Sequence, residues 1–234
     1  MPVTAAKAGG SWPAAAGWCV QDWMPSGVHA GVACRDSDPA RLFDAYPHPV
    51  ITAEAEQAHG ASFAVMLGRA PQACVAGCDA LLTHQADVAL RVRTADCLPL
   101  FFADLARRVI GLAHAGWRGV AAWLPARMVA AFHDAYRSRP EDLRVAVGPA
   151  IRACCYDVGP EFEARFGRFV TRDGGRRRCD LVAAAIAQLR GCGVRPAHVV
   201  DSHRCTACEP QQWFSLRRDG PATGRLVSCI LMPS

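Results

Sequence analysis

A chain of 234 residues that is 51% hydrophobic and 20% charged is long and apolar enough to bury a sizeable core, and one domain over 1–234 is the simplest reading. No apolar run approaches the roughly 18 uncharged residues that span a bilayer, and the Ala/Gly/Pro-mixed opening from Met1 to Trp18 lacks a continuous apolar stretch, so the expectation is a cytoplasmic protein with no membrane partner. The formal charge of +5 sits in clusters, Arg176 to Arg178 and Arg217 with Arg218; with 8% aromatics and no organising motif, this excludes a nucleic-acid surface and favours a small anionic substrate.

Residues 1–50 carry little periodicity beyond a short strand over 28–33 and a helix near 39–45. From Val88 the pattern sharpens. Val88, Leu90 and Val92 alternate with polar or small neighbours, and 98–102 and 109–113 are apolar runs, which predicts three closely spaced strands. Val120, Leu124, Met128, Phe132 and Tyr136 recur at every fourth position and draw one core-facing stripe along a single helix. A strand over 143–147 stops at Gly148-Pro149, and 180–192 reads as a helix capped by Asp180 and ended by Gly193. Closing strands are expected at 198–201 and 226–231. Several strands lie too close together for a helix between them, which favours an α/β domain with mixed β-sheets over a doubly wound parallel sheet.

Twelve cysteines is a high count. In a reducing cytosol most serve as small buried hydrophobes, so no structural disulfide is expected, and Cys205 and Cys208 should be free thiols unless they hold a metal. Cys205-x-x-Cys208 has zinc-knuckle spacing, with Cys74 and Cys78 as an imaginable second half, although that pair is spaced C-x3-C.

The chemistry concentrates in Thr94-Ala95-Asp96-Cys97-Leu98-Pro99 and His114-Ala115-Gly116-Trp117-Arg118-Gly119. Cys97 precedes one predicted strand and His114 ends the next, so antiparallel pairing brings thiol and imidazole together. Both are good zinc ligands, and one more distant ligand would leave a fourth position open for water or substrate. Gly116 and Gly119 permit a sharp turn, and the following helix would aim its positive end and Arg118 at the same place, where an anion such as phosphate docks. The bland reading stays open here: a strand-to-helix turn beside a satisfied core histidine. Asp96 either orients a ligand or caps a local turn. Of the other histidines only His203, two residues before Cys205, is of interest.

TADCLP, HAGWRG, Gly148-Pro149-Ala150-Ile151 with Tyr156, Gln57-Ala58-His59-Gly60, Asp79 to Thr83, Cys205-Thr206, Ser215 to Asp219 and Gly224-Arg225 together resemble the laccase-domain (YfiH-like) purine nucleoside phosphorylase family over about residues 55–230. The resemblance implies a layered sheet core flanked by helices, similar to cysteine-hydrolase-like toxin domains. It implies a metal held by His59, Cys97 and His114, which are also the expected catalytic residues, with Arg118 binding substrate. The expected cofactor is one zinc ion, with copper as the alternative metal. The implied activity is phosphorolysis of adenosine, inosine and methylthioadenosine together with adenosine deamination, so the partners are a nucleoside and phosphate, with the chain a monomer or weak homodimer. Two alternatives remain: a Cys97/His114 hydrolase editing a cell-wall peptide precursor, and a copper-dependent polyphenol oxidase. The latter needs about ten histidines over four coppers, whereas this chain has eight histidines and no His-x-His pair.

Overall fold

Near-continuous apolar runs need cover on both faces, and the strands β8 (Leu98–Asp104) and β9 (Val109–Ala115), buried at every position, receive it. The computed structural model describes residues 18–20, 27–39, 46, 48–68 and 73–234. Among these, β8 and β9 lie at the centre of a six-stranded sheet ordered β13 (Val199–Asp201), β10 (Arg144–Val147), β8, β9, β6 (Ala80–Thr83) and β4 (Phe63–Met66). The outer pairs β13–β10 and β4–β6 are parallel and the inner ones antiparallel. A second six-stranded sheet runs β1 (Trp18–Val20), β2 (His29–Ala33), β14 (Leu226–Leu231), β7 (Val88–Thr94), β3 (Ile51–Ala55) and β5 (Ala73–Val75), with β3 parallel to both β7 and β5.

The period-two alternation of β8 assigns its side chains to two cores. Phe101 and Ala103 join Leu81, Ile110 and Leu112 against Val32, Leu90, Val92 and Ile230 of the second sheet. Leu98, Leu100 and Phe102 point the other way, into a layer of helices formed by α1 (Trp117–Ala121), α2 (Leu124–Tyr136), α3 (Glu161–Phe166) and α4 (Leu181–Gly191). The architecture is therefore sheet on sheet with helices on one outer face, the mixed α/β layering expected. A short helix α5 (Leu216–Asp219) and a hairpin of β11 (Val170–Asp173) and β12 (Arg176–Cys179) complete the described elements.

One feature that the sequence expectation left open and two differences from it have physical causes. First, β7 lies in the other sheet from β8, and the chain passes between the layers at the bend 95–97, where Asp96 takes a left-handed φ of 90°. Second, the single helix expected from Val120 is two, because an unbroken helix would drive the Pro125 ring against the carbonyl of Ala121. The chain breaks instead at Trp123, φ 64°, and restarts with Pro125 in the first turn, while Val120, Leu124, Met128 and Phe132 all remain buried as the stripe requires. Third, Cys34, directly after β2, is disulfide-bonded, which overturns the expectation of no disulfide. That expectation rested on compartment alone, which says nothing about which thiols the fold brings within bonding distance; the cysteine pattern no longer argues for a reducing compartment. Cys205 and Cys208 are free thiols, as expected. Residues 40–45 of the helix expected near 39–45 lie outside the described residues.

Helix α2 seats on β9 at Gly111, where an added Cβ would stand 2.8 Å from the ring of Phe132. Phe132 is fully buried and its ring also lies 5.9 Å from that of Phe102. Truncating it leaves a cavity the rigid strand cannot fill, so Phe132→Ala should cost about 3–5 kcal/mol of unfolding free energy in a denaturant titration. A cost below about 1 kcal/mol would show that this helix is not seated as described.

Candidate metal centre and its cleft

Two loops that cross between the sheets, 56–62 after β3 and 95–97 after β7, end beside the last residue pairs of the β8–β9 ladder. Register there is tight: Pro99 pairs with His114 and Leu98 with Ala115, which sets Cys97 beside Gly116. A Cβ on Gly116 would lie 3.1 Å from the Cys97 sulfur and 3.9 Å from both the His59 and His114 rings, so a glycine is what lets the three side chains converge. Gly119 is similarly constrained, since its Cβ would approach the carbonyl of Gly60 to 2.8 Å. One donor atom each from His59, Cys97 and His114 falls in a group spanning no more than 4.8 Å, and the two imidazoles meet edge to face.

The orientation of the His114 imidazole and the placement of the His59 backbone trace to Asp79, the residue just before β6. Its fully buried carboxylate accepts hydrogen bonds through Oδ1 from the His59 backbone N–H and the His114 ring at Nδ1, each 2.9 Å, and through Oδ2 from the Gly60 N–H at 2.7 Å. Burial pushes this carboxyl up, but the bonds from His114, Gly60 and His59 outweigh it and hold it below the usual carboxylate value. His59 Nδ1 faces the carbonyl of Gln57 at 3.0 Å. With both Nδ1 atoms committed to acceptors, each ring presents Nε2 with its lone pair free, the tautomer of histidines that bind metal. Gln57 is itself anchored, its amide bonded both ways to the backbone of Arg93 at 2.6 and 2.7 Å.

Cys97 stands apart electrostatically. Burial, followed by the charges of Asp96 and Asp79, pushes its thiol up to about 12. A bare thiolate is therefore disfavoured here, and a cation seated between sulfur and imidazoles is what would stabilise it. Two imidazole nitrogens and one thiolate form a donor set that suits zinc and leaves one tetrahedral position open.

His59 and Cys97 line a cleft of about 420 Å³, whose wall also includes Ile151, Tyr156, Leu181, Leu216, Arg118 and Arg217. The size and the apolar wall with few polar groups suit a small molecule. Arg118 is exposed and lies 4.4 Å over the Trp117 ring. Arg118 does not brace the turn through either nearby carboxylate, because Asp79 is taken by the histidine loop, and Asp96 accepts from Thr206 Oγ1 at 2.6 Å and the Arg217 N–H at 2.7 Å. Asp96 thus ties the C-terminal segment to the site rather than capping its own turn. The helix behind the turn is only the five residues of α1, so the expected long helix end does not stand behind Arg118.

Of the four sequence-predicted residues, His59, Cys97 and Arg118 line this cleft, and His114 is buried behind it, converging with His59 and Cys97. His203 does not line the cleft; it is 84% exposed beside Asp201. The role of Asp79 was not legible from spacing, because a lone acidic residue at the start of an apolar strand has no signature of its own. Arg217, over Tyr156 at 5.1 Å, was missed because a double arginine reads as a solvated run. Its neighbour Arg218 instead braces the C-terminal loop through the carbonyls of Thr206 and Trp213.

The chain is similar to several known proteins. The family model described as multi-copper polyphenol oxidoreductase laccase matches residues 37–233. The purine nucleoside phosphorylase YlmD of Geobacillus stearothermophilus is 36% identical over 191 residues, 75% of this chain and 70% of that protein. The adenosine deaminase RL5 of an unknown prokaryotic organism is 33% identical over 168 residues, 68% of this chain and 64% of that protein. The crystal structure of the Geobacillus YlmD superposes with a TM-score of 0.85 at 30% identity, covering 94% of this chain and 97% of that one.

Asp79→Asn keeps the shape but turns an acceptor into a donor facing N–H groups. We expect metal affinity to fall about 10–100-fold in competition with a chromogenic chelator. Affinity equal to the unmutated chain would remove Asp79 from its orienting role.

Proposed function

We propose that this chain, which belongs to the multi-copper polyphenol oxidoreductase laccase family, is a metal-dependent nucleoside-processing enzyme whose His59, Cys97 and His114 hold one zinc ion. The observation that carries the reading is the pair of imidazoles with both Nδ1 atoms tied off, converging with one thiol at the floor of a small-molecule cleft. Relatives named purine nucleoside phosphorylase and adenosine deaminase support a nucleoside as the substrate class. The proposed reactions are phosphorolysis of purine nucleosides and hydrolytic deamination of adenosine.

When bound, such an ion supplies Lewis acidity to an oxygen it contacts. The chain's own residues do the rest. Ile151, Leu181, Leu216 and the Tyr156 ring provide an apolar wall for a purine. Arg118, with no carboxylate partner among the described residues, and Arg217 at the same cleft supply charge for phosphate. In phosphorolysis a phosphate oxygen forms a bond to ribose C1′ as the C1′–N bond breaks, and the base leaves with the electron pair and a proton. In deamination water adds to the amidine carbon and ammonia leaves. Oxidation of phenols at a copper cluster has less support, because the converging donors include only two histidines.

One observation favours the hydrolase alternative: Asp79, His114 and Cys97 stand in the order of a carboxylate, imidazole and thiol triad. Against it, a nucleophilic cysteine needs a depressed thiol value, and this one is pushed up to about 12 by burial. Below that value the metal-free thiol keeps its proton. Chelator-treated protein at neutral pH should therefore alkylate slowly at Cys97, and rapid alkylation there would favour the hydrolase.

Replacing His59, Cys97 or His114 by Ala should weaken metal binding by orders of magnitude and abolish both reactions, with zinc content after dialysis as the measure. Variants that keep stoichiometric metal at this site would exclude the assignment. Arg118→Ala separates the two chemistries. If its guanidinium holds phosphate, phosphorolysis loses about 2–4 kcal/mol of transition-state stabilisation, roughly 30- to 1000-fold in rate, while deamination is spared. Equal losses in both would rule out a phosphate-specific role.

A further inference from the structure

Outside the cleft, four thiols from two separate turns meet at one point. The turn 153–155 supplies Cys154 and Cys155, and the turn beginning at Cys205 supplies Cys205 and Cys208; their sulfurs all lie within 4.8 Å of one another. Cys154 is 3.6 Å from both Cys205 and Cys208, and Cys155 is 3.3 Å from Cys208. Cys74 and Cys78, the imagined second half of a knuckle, are not in this group. The pair that completes Cys205-x-x-Cys208 is vicinal and some fifty residues upstream, a spacing that no knuckle pattern contains.

We propose that Cys154, Cys155, Cys205 and Cys208 form a second metal site, a structural tetrathiolate centre that binds one zinc ion or another thiophilic divalent cation. A tetrahedral ion with metal–sulfur bonds of about 2.3 Å has sulfur–sulfur edges of about 3.8 Å. The three separations of 3.3 to 3.6 Å sit inside that value, the whole group spans no more than 4.8 Å, and all are far outside the roughly 2.05 Å of a disulfide. All four cysteines are free thiols. Four sulfurs sharing one centre describe a single ion rather than two independent bridges.

The surroundings are prepared for it. The two turns are joined without any metal: Ala150 bridges Cys205 in parallel register, the Thr206 N–H donates to the Ala150 carbonyl at 3.1 Å, and the Arg152 guanidinium forks onto both carboxylate oxygens of Asp201. The ligands therefore need little reorganisation to bind. Arg218, itself paired with Asp219, lies beside the cluster and braces the second turn by donating to the carbonyls of Thr206 and Ala207. On binding, the protons of the four thiols pass to solvent.

The centre's role is mechanical. It pins together the two segments that build one side of the cleft, since Ile151 and Tyr156 flank the first turn and Thr206 in the second bonds the Asp96 carboxylate. Because it binds the folded chain and not the unfolded one, it adds stability by mass action.

Elemental analysis of the full chain, purified without chelator from zinc-supplemented cells, tests this. Two zinc ions per chain are expected, falling to one in Cys208→Ser. Cys208 is exposed, so serine there removes no core packing. Cys97→Ser loses the other ion; if Cys97→Ser keeps two while Cys208→Ser loses one, the cleft assignment fails and this proposal stands. Cobalt titration of the unmutated chain needs no variant, and should give the intense sulfur-to-cobalt charge-transfer bands of a tetrathiolate. Unchanged metal content in Cys208→Ser, or a cobalt spectrum without those bands, overturns the proposal.

Discussion

A carboxylate taken wholly out of water must have its lone pairs satisfied or it destabilises the fold, and Asp79 meets that requirement in a way that fixes the site. Its partners are the backbone of the 59–60 loop and the ring of His114 on β9. One buried side chain thereby holds a loop leaving the second sheet against a strand of the first. The same three bonds set the direction of the His114 imidazole and hold the backbone that carries His59, whose ring the Gln57 carbonyl then orients. Removing the anion would leave three donors unpaired in a dry place, so stability of this corner and geometry of the metal centre are one property.

The backbone carries the cost of this arrangement locally. Gln57, His59 and Asp96 all have positive φ, at 69°, 60° and 90°. Non-glycine residues persist in that region only when their surroundings over-determine them. Here the surroundings are identifiable: the Gln57 amide on Arg93, Asp79 under His59, and Asp96 held by Thr206 and the Arg217 N–H. Asp96 also links the site to the C-terminal segment that supplies Leu216 and Arg217 to the cleft.

Much of this was legible in the sequence where a residue's role is local. The apolar runs of β8 and β9, the alternation of β7, the Asp180 cap and the whole of β14 follow from period and propensity. The meeting of Cys97 with His114 follows from antiparallel pairing of adjacent strands, and His59 entered through the family resemblance. What escaped were features made by distant chain segments. The sheet to which β7 belongs is decided by its partners β14 and β3, far away in sequence. Asp79 acquires its role only when two loops close over it. The four-cysteine cluster joins a vicinal pair to a C-x-x-C pair through the contact between 150 and 205, which no spacing rule encodes. The helix break at Trp123 was readable from Pro125 but was masked by the unbroken apolar stripe.

The central claim is that Asp79 and the Gln57 carbonyl select the Nε2 atoms of His59 and His114, with the Cys97 sulfur, as the ligands of one ion. Anomalous diffraction at the zinc edge from crystals of the zinc-loaded protein tests it most directly. The account predicts a peak about 2.0–2.3 Å from both Nε2 atoms and from the sulfur, with both Nδ1 hydrogen bonds retained. A zinc-loaded crystal with no peak between these three residues, or with the ion bound through Nδ1 of either histidine, would contradict it.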